Sequence, residues 1–166
     1  AQLIAQNEQA MVLRLNYISP KDARAVYKNV TYDMRQYKRL QMFVHAECLP
    51  DFDASQDKDL TCFIRLGSEL KNNYYEYAIP LYLTPEGLYN NESVEDRLKV
   101  WLEKNTFDFP LSVFTDAKTA RNKAKRAGNA NVGNTIPYEV YDPEKLDNKI
   151  TVMGNPTLED IQSIMI

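Results

Sequence analysis

His45 is the only histidine in the 166-residue chain, and acid–base catalysis would have to turn on it. A general base needs a nucleophile or an acid held within hydrogen-bond reach, and the stretch Phe43-Val-His-Ala-Glu47 offers no legible constellation of that kind. Glu47 and Glu76 are the one carboxylate pair that could share a face for glycoside hydrolysis, but glutamates on strand surfaces are common and nothing else supports that chemistry. Glycine is scarce, with five in the chain, and no glycine-rich phosphate loop occurs. The expectation is a non-catalytic protein without a cofactor.

Three other groups of reactive side chains have a reading. Asp51, Asp53, Asp57 and Asp59 begin like a calcium loop, yet Gln56 stands at the glycine position and Cys62 where the bidentate glutamate belongs. This is either an irregular oxygen site or a solvated acidic connection, and no metal is assigned. Cys48 and Cys62 are too few for a disulfide scaffold and lack zinc-ligand spacing; they are one bridge or two buried thiols. Lys118, Arg121, Lys123, Lys125 and Arg126 gather toward the end of a predicted helix, where the macrodipole favours cations, and read as its solvated face in preference to an anion site.

The elements that must position these groups are strands of period two. Leu40, Met42, Val44 and Ala46 oppose Gln41, Phe43, His45 and Glu47. Leu60, Cys62, Ile64 and Leu66 oppose Thr61, Phe63 and Arg65. Tyr75, Tyr77, Ile79, Leu81 and Leu83 oppose Tyr74, Glu76, Ala78, Pro80 and Tyr82. Each strand has one apolar face for a core. The second faces bring together Phe43, His45, Phe63, Arg65, Tyr74 and Glu76 as a candidate contact face, with rings and charges mixed as at an interface rim.

Around these lie a strand at Met11 to Tyr17 closed by Pro20, a strand at Ala23 to Lys28, and a short turn at Asp33 to Tyr37. Val94, Leu98, Trp101 and Leu102 suit a helix capped by Ser93 with Asp96 at its third position. A second helix runs from Thr115-Asp116 to Gly128 with Phe114, Ala117, Ala120 and Ala124 as its apolar stripe. A hairpin pairs Tyr138 to Tyr141 with Lys149 to Met153 across Asp142-Pro and Asp147-Asn turns. After a turn at Asn155-Pro156, Ile164 begins an extended run.

Net charge is −3 and the hydrophobic content 44%. No strong field recruits nucleic acid, and a chain of this length buries enough surface for one core as a single domain over residues 1–166. Mean hydropathy of −0.50 and charged second faces argue against a lipid-facing barrel band. No run of eighteen apolar residues forms a membrane helix.

The long ordered run of Asp22-Ala-Arg-Ala-Val-Tyr-Lys-Asn29, Asp33-Met-Arg-Gln-Tyr-Lys-Arg-Leu-Gln-Met-Phe-Val-His-Ala-Glu47, Leu60-Thr-Cys-Phe-Ile-Arg-Leu-Gly67 and Asn72-Asn-Tyr-Tyr-Glu-Tyr-Ala-Ile-Pro-Leu81 resembles the SprA/Sov family, as do Gly154-Asn-Pro156 and Ile164-Met-Ile166. These are very large outer-membrane proteins of Bacteroidetes. The pattern departs at Leu102, where a proline is expected after Trp101; the family path there is extended. The resemblance implies a piece of the type 9 secretion translocon, located at the outer membrane or cell surface. Its partners would be other parts of the parent, secreted cargo, and accessory outer-membrane or plug proteins.

The expected fold is mainly β, an antiparallel β-sandwich of jelly-roll type with one or two short helices. It is similar to galactose-binding and carbohydrate-binding sandwiches. Two functions follow from the same face: an architectural or contact piece of a translocon, in which the Thr115 helix or the parent covers the rings, or a cell-surface glycan-binding module that leaves them open.

Overall fold

The computed structural model describes residues 10–15, 19–47 and 56–166. Among the described residues the chain is mainly β, with eight strands in antiparallel sheets: β1 (Tyr27–Tyr32), β2 (Arg39–Phe43), β3 (Thr61–Glu69), β4 (Asn73–Pro80), β5 (Thr106–Pro110), β6 (Tyr138–Tyr141), β7 (Lys149–Met153) and β8 (Ile161–Met165). Two α-helices accompany them, α1 (Val94–Val100) and α2 (Ser112–Arg126).

Six strands form one sheet in the order β1-β8-β3-β4-β7-β6, and β2 pairs with β5 in a separate ribbon. The alternation decides what lies between them. Ile64 and Leu66 on β3, Tyr75, Tyr77 and Ile79 on β4, Ile150 and Val152 on β7 and Ile161 on β8 are all buried on one face of the large sheet. The ribbon covers that face. Its register sets Leu40 opposite Phe109 and Met42 opposite Phe107, and these apolar residues join the same core while Arg39, Gln41 and Phe43 point away from it. Phe109 stacks on Tyr77 with centroids 3.8 Å apart, and Phe107 meets the same ring edge-on at 6.1 Å.

Helix α2 covers the rest of the face. Phe114, Ala117 and Arg121 recur at helical spacing and are buried, and Phe114 stacks on Tyr75 at 5.1 Å. Each such aromatic pair contributes about 0.5–1.5 kcal/mol beyond its burial. The two core tyrosines keep their hydroxyls bonded, as buried hydroxyls must be. Tyr75 donates to Pro156 O at 2.8 Å, and Tyr77 donates to Asp142 Oδ2 while accepting from Asn148 Nδ2 at 3.1 Å.

Several expectations need adjustment. The strands divide six and two, with α2 completing the smaller layer, so the jelly-roll division into two comparable sheets is not seen. Residues 11–15 make no ladder, and the remainder of that expected strand lies outside the described residues. The Ala23 strand begins at Tyr27 instead, because its partner β8 first reaches the chain at Val26, which exchanges both backbone hydrogen bonds with Ile166. The Leu40 strand ends at Phe43 and pairs with β5, a strand not anticipated in Thr106-Phe-Asp-Phe-Pro110 despite its period of two. Ser93 caps α1 as expected, with Oγ accepting from Asp96 N at 3.3 Å, and Trp101 ends the helix. The Tyr138–Lys149 hairpin forms as read.

The basic cluster is not one solvated face. Arg121 is fully buried, giving Nη1 to Gly154 O and Nε and Nη2 to Asn122 Oδ1, while Lys118 Nζ donates to Pro156 O at 2.7 Å. Burial holds both cations below their ordinary range.

Candidate contact face

The opposite face of the large sheet carries no second layer among the described residues, and its strand register assembles the site. Across the middle of the sheet one row reads Met165, Arg65, Glu76, Thr151 and Glu139, each directly opposite the next on a neighbouring strand. A parallel row reads Ser163, Gly67, Tyr74 and Met153. A third holds Phe63, Ala78, Lys149 and Tyr141.

Arg65 organises the centre. Its Nε and Nη2 both reach Glu76 Oε2, at 2.8 and 2.6 Å, and its Nη1 donates to Leu70 O at 2.6 Å. The same guanidinium lies 3.9 Å from the centroid of Tyr74 and 5.5 Å from that of Phe63, within cation–π range. A planar cation fixed by three hydrogen bonds and roofing a ring is a use for which lysine is no substitute. Tyr74 is thereby buried although it sits on the open face, and that burial raises its phenol above the usual range. Opposite it a Cβ on Gly67 would come within 2.2 Å of Asn73 O, so glycine is required at that crossing.

The row continues into β7 and β6. Lys149 Nζ binds Glu139 Oε1 at 2.8 Å, and that bond raises the lysine's pKa. Between the two ion pairs sits Thr151, buried, with a hydroxyl that finds no partner. Beside the Ser163–Gly67 row an open polar cleft of about 480 Å³ is lined by Asn29, Ser68, Asp160 and Ser163 among others.

The structure brings Phe63, Arg65, Tyr74 and Glu76 together and leaves Phe43 and His45 elsewhere. Those two belong to the β2 segment, which the ribbon carries to the other side of the core. Phe43 is 70% exposed there. His45 tilts against Trp101 at 5.9 Å, and its Nε2 is buried without a partner. Helix α2 covers the core face and not the contact face. Thr151, Lys149 and Glu139 were missed; the alternation within Lys149-Ile-Thr-Val-Met153 and Tyr138-Glu-Val-Tyr141 carried the signal, but only the β4–β7 and β6–β7 registers bring them beside Glu76.

The remaining sequence candidates resolve as follows. Cys48, Asp51 and Asp53 lie outside the described residues. Burial pushes the Cys62 thiol up to about 11, and its strand β3 pairs with β4 and β8 and not with β2. Asp57 accepts from Leu83 N and Asp59 from Gln56 N. Among the described residues no group of three or more His, Cys, Asp or Glu could hold a metal, and no helix is long and apolar enough to cross a membrane. The charges of the face are already paired, so what it offers is rings, a hydroxyl and fixed ion pairs for recognition.

A family model described as motility related/secretion protein, SprA_N, matches residues 1–166. No curated protein matches the chain.

Proposed function

The chain belongs to the SprA_N family of motility related/secretion proteins, and from that premise we propose that it is a non-catalytic interaction domain of an outer-membrane secretion translocon, the one serving type 9 secretion and gliding motility. Its contact face is the open side of the large sheet, centred on Phe63, Arg65, Tyr74 and Glu76. The observation that carries this reading is the fixation of Arg65 by Glu76, Leu70 O and the Tyr74 ring. A long side chain already held in one geometry loses little entropy on docking, and arginines and aromatics are the residues that dominate protein interfaces. Partners of matching chemistry are other parts of the parent, cargo, or accessory and plug proteins at the cell envelope.

A second reading is a cell-surface carbohydrate-binding module. The polar cleft lined by Asn29, Ser68 and Ser163 supports it, since it gathers side-chain hydrogen-bonding groups. The two separate in one experiment. The immobilised chain and an Arg65→Glu variant are exposed to outer-membrane extracts of the parent bacterium, and retained proteins are quantified with and without saccharide elution. Secretion-system subunits or cargo retained by the unmodified chain alone and indifferent to saccharides support the translocon role. Glycoproteins released by saccharides replace it with the module.

A further inference from the structure

We propose that the outer edge of β1 is a strand-addition site whose occupant is Met11 to Leu15 of the same chain, a segment that lies beside the edge here without forming a ladder. The Val26–Ile166 pair exchanges both backbone hydrogen bonds. By the alternation of antiparallel ladders, Lys28 also turns its peptide groups toward β8, whereas Tyr27 and Asn29 turn theirs outward. No other strand among the described residues lies beyond β1. An edge of this kind is a template for another strand.

The occupant is already beside it. Leu13 and Leu15 line a shallow cleft together with Arg24 and Val26, and the chain reverses between the two stretches at a turn in which Asp22 N donates to Ser19 O at 2.9 Å. Lys21 holds φ +75 within that turn, following Pro20, as a type II turn demands. The segment has strand periodicity and apolar side chains without cover, with Met11 60% and Leu15 47% exposed.

Parity makes the fit specific. Val30 faces the core from β1, so an antiparallel neighbour with its apolar residues on that side sets the odd-numbered Met11, Leu13 and Leu15 opposite Val26, Lys28 and Val30. The even-numbered Val12 and Arg14 then meet the outward peptide groups of Tyr27 and Asn29. That register parity keeps the apolar residues on the core side; a one-residue slip would still close the backbone hydrogen bonds but would turn Met11, Leu13 and Leu15 to the other face.

Amide hydrogen exchange on the intact chain tests this, with Val12→Pro as the variant that removes the donor facing the edge. Protection of the Tyr27 and Asn29 amides by about a hundredfold or more over free exchange is expected, falling by at least about tenfold in the variant. The Tyr77 amide reports in each sample that the sheet is intact. Free exchange of Tyr27 and Asn29 in the unmodified chain would overturn the proposal, as would protection that survives Val12→Pro. Protection that disappears on dilution would also overturn it, assigning the edge to a second copy.

Discussion

Arg65 and Glu76 face each other across β3 and β4, and the guanidinium gives two of its nitrogens to a single carboxylate oxygen. The pair is only 23% and 14% exposed at its side chains, so neither charge is well solvated without the other. Glu76→Gln is expected to cost about 1–3 kcal/mol in urea unfolding. A double-mutant cycle with Arg65→Met should recover a substantial part of that loss as coupling. Additive losses would mean that the ion pair contributes nothing beyond its separate parts.

Thr151 buries a hydroxyl with no partner between two ion pairs. Thr151→Val removes that desolvated group while keeping the shape, and should be neutral or raise stability by up to about 1 kcal/mol. A clear fall in the urea midpoint would show that the hydroxyl is bonded in solution.

Gly154 has φ +74, and a Cβ there would come within 2.2 Å of Asn72 O, whereas Gly128 at φ +84 faces open space. Gly154→Ala must push apart the β3–β4 hairpin and the turn after β7, which are joined by Asn73 Oδ1 accepting from Asn155 N at 2.7 Å. A loss of more than about 2 kcal/mol is expected there and about 1 kcal/mol for Gly128→Ala, read from paired thermal melts. Equal effects would locate the cost in φ alone.

Burial holds the Tyr75 phenol protonated up to about 12, against an ordinary value of 10.0. The unfolded chain therefore releases this proton first as pH rises, and binds fewer protons than the native state between those values. Stability from this group is complete below pH 10 and is lost as pH climbs toward 12; Tyr77 shifts in the same direction, by burial first and then by its bond to Asp142. Urea midpoints should fall from pH 9 to 11.5, and less steeply in Tyr75→Phe. A slope unchanged by that substitution would remove Tyr75 as a cause.

The period-two pattern revealed which residues of each strand are apolar, and hence most of the core, before any coordinates. It carried no information on layer. Phe43 and Phe63 have the same alternation, yet β2 leaves the main sheet to pair with β5, so a face read from parity alone merged two surfaces on opposite sides of the core. Arg121 was legible in another way: it follows Phe114 and Ala117 by seven and four residues, on the buried stripe. Counting it with the basic residues around it hid that spacing. The bond from Arg121 to Gly154 O and that from Tyr75 to Pro156 O also explain why Gly154-Asn-Pro156, a short turn with no strand of its own, belongs with the strand sequences.

β1 reaches the large sheet only through β8, and the contact between Asn29 and Ser163 spans 134 residues of chain. At a synthesis rate of roughly 5–20 residues per second, β1 waits about 7–27 s after it is made before its partner exists. Loop closure over that distance is slow even for a complete chain. During that interval the peptide groups of β1 that face β8 have no partner, so the arrival of β8 times the moment at which this half of the sheet closes.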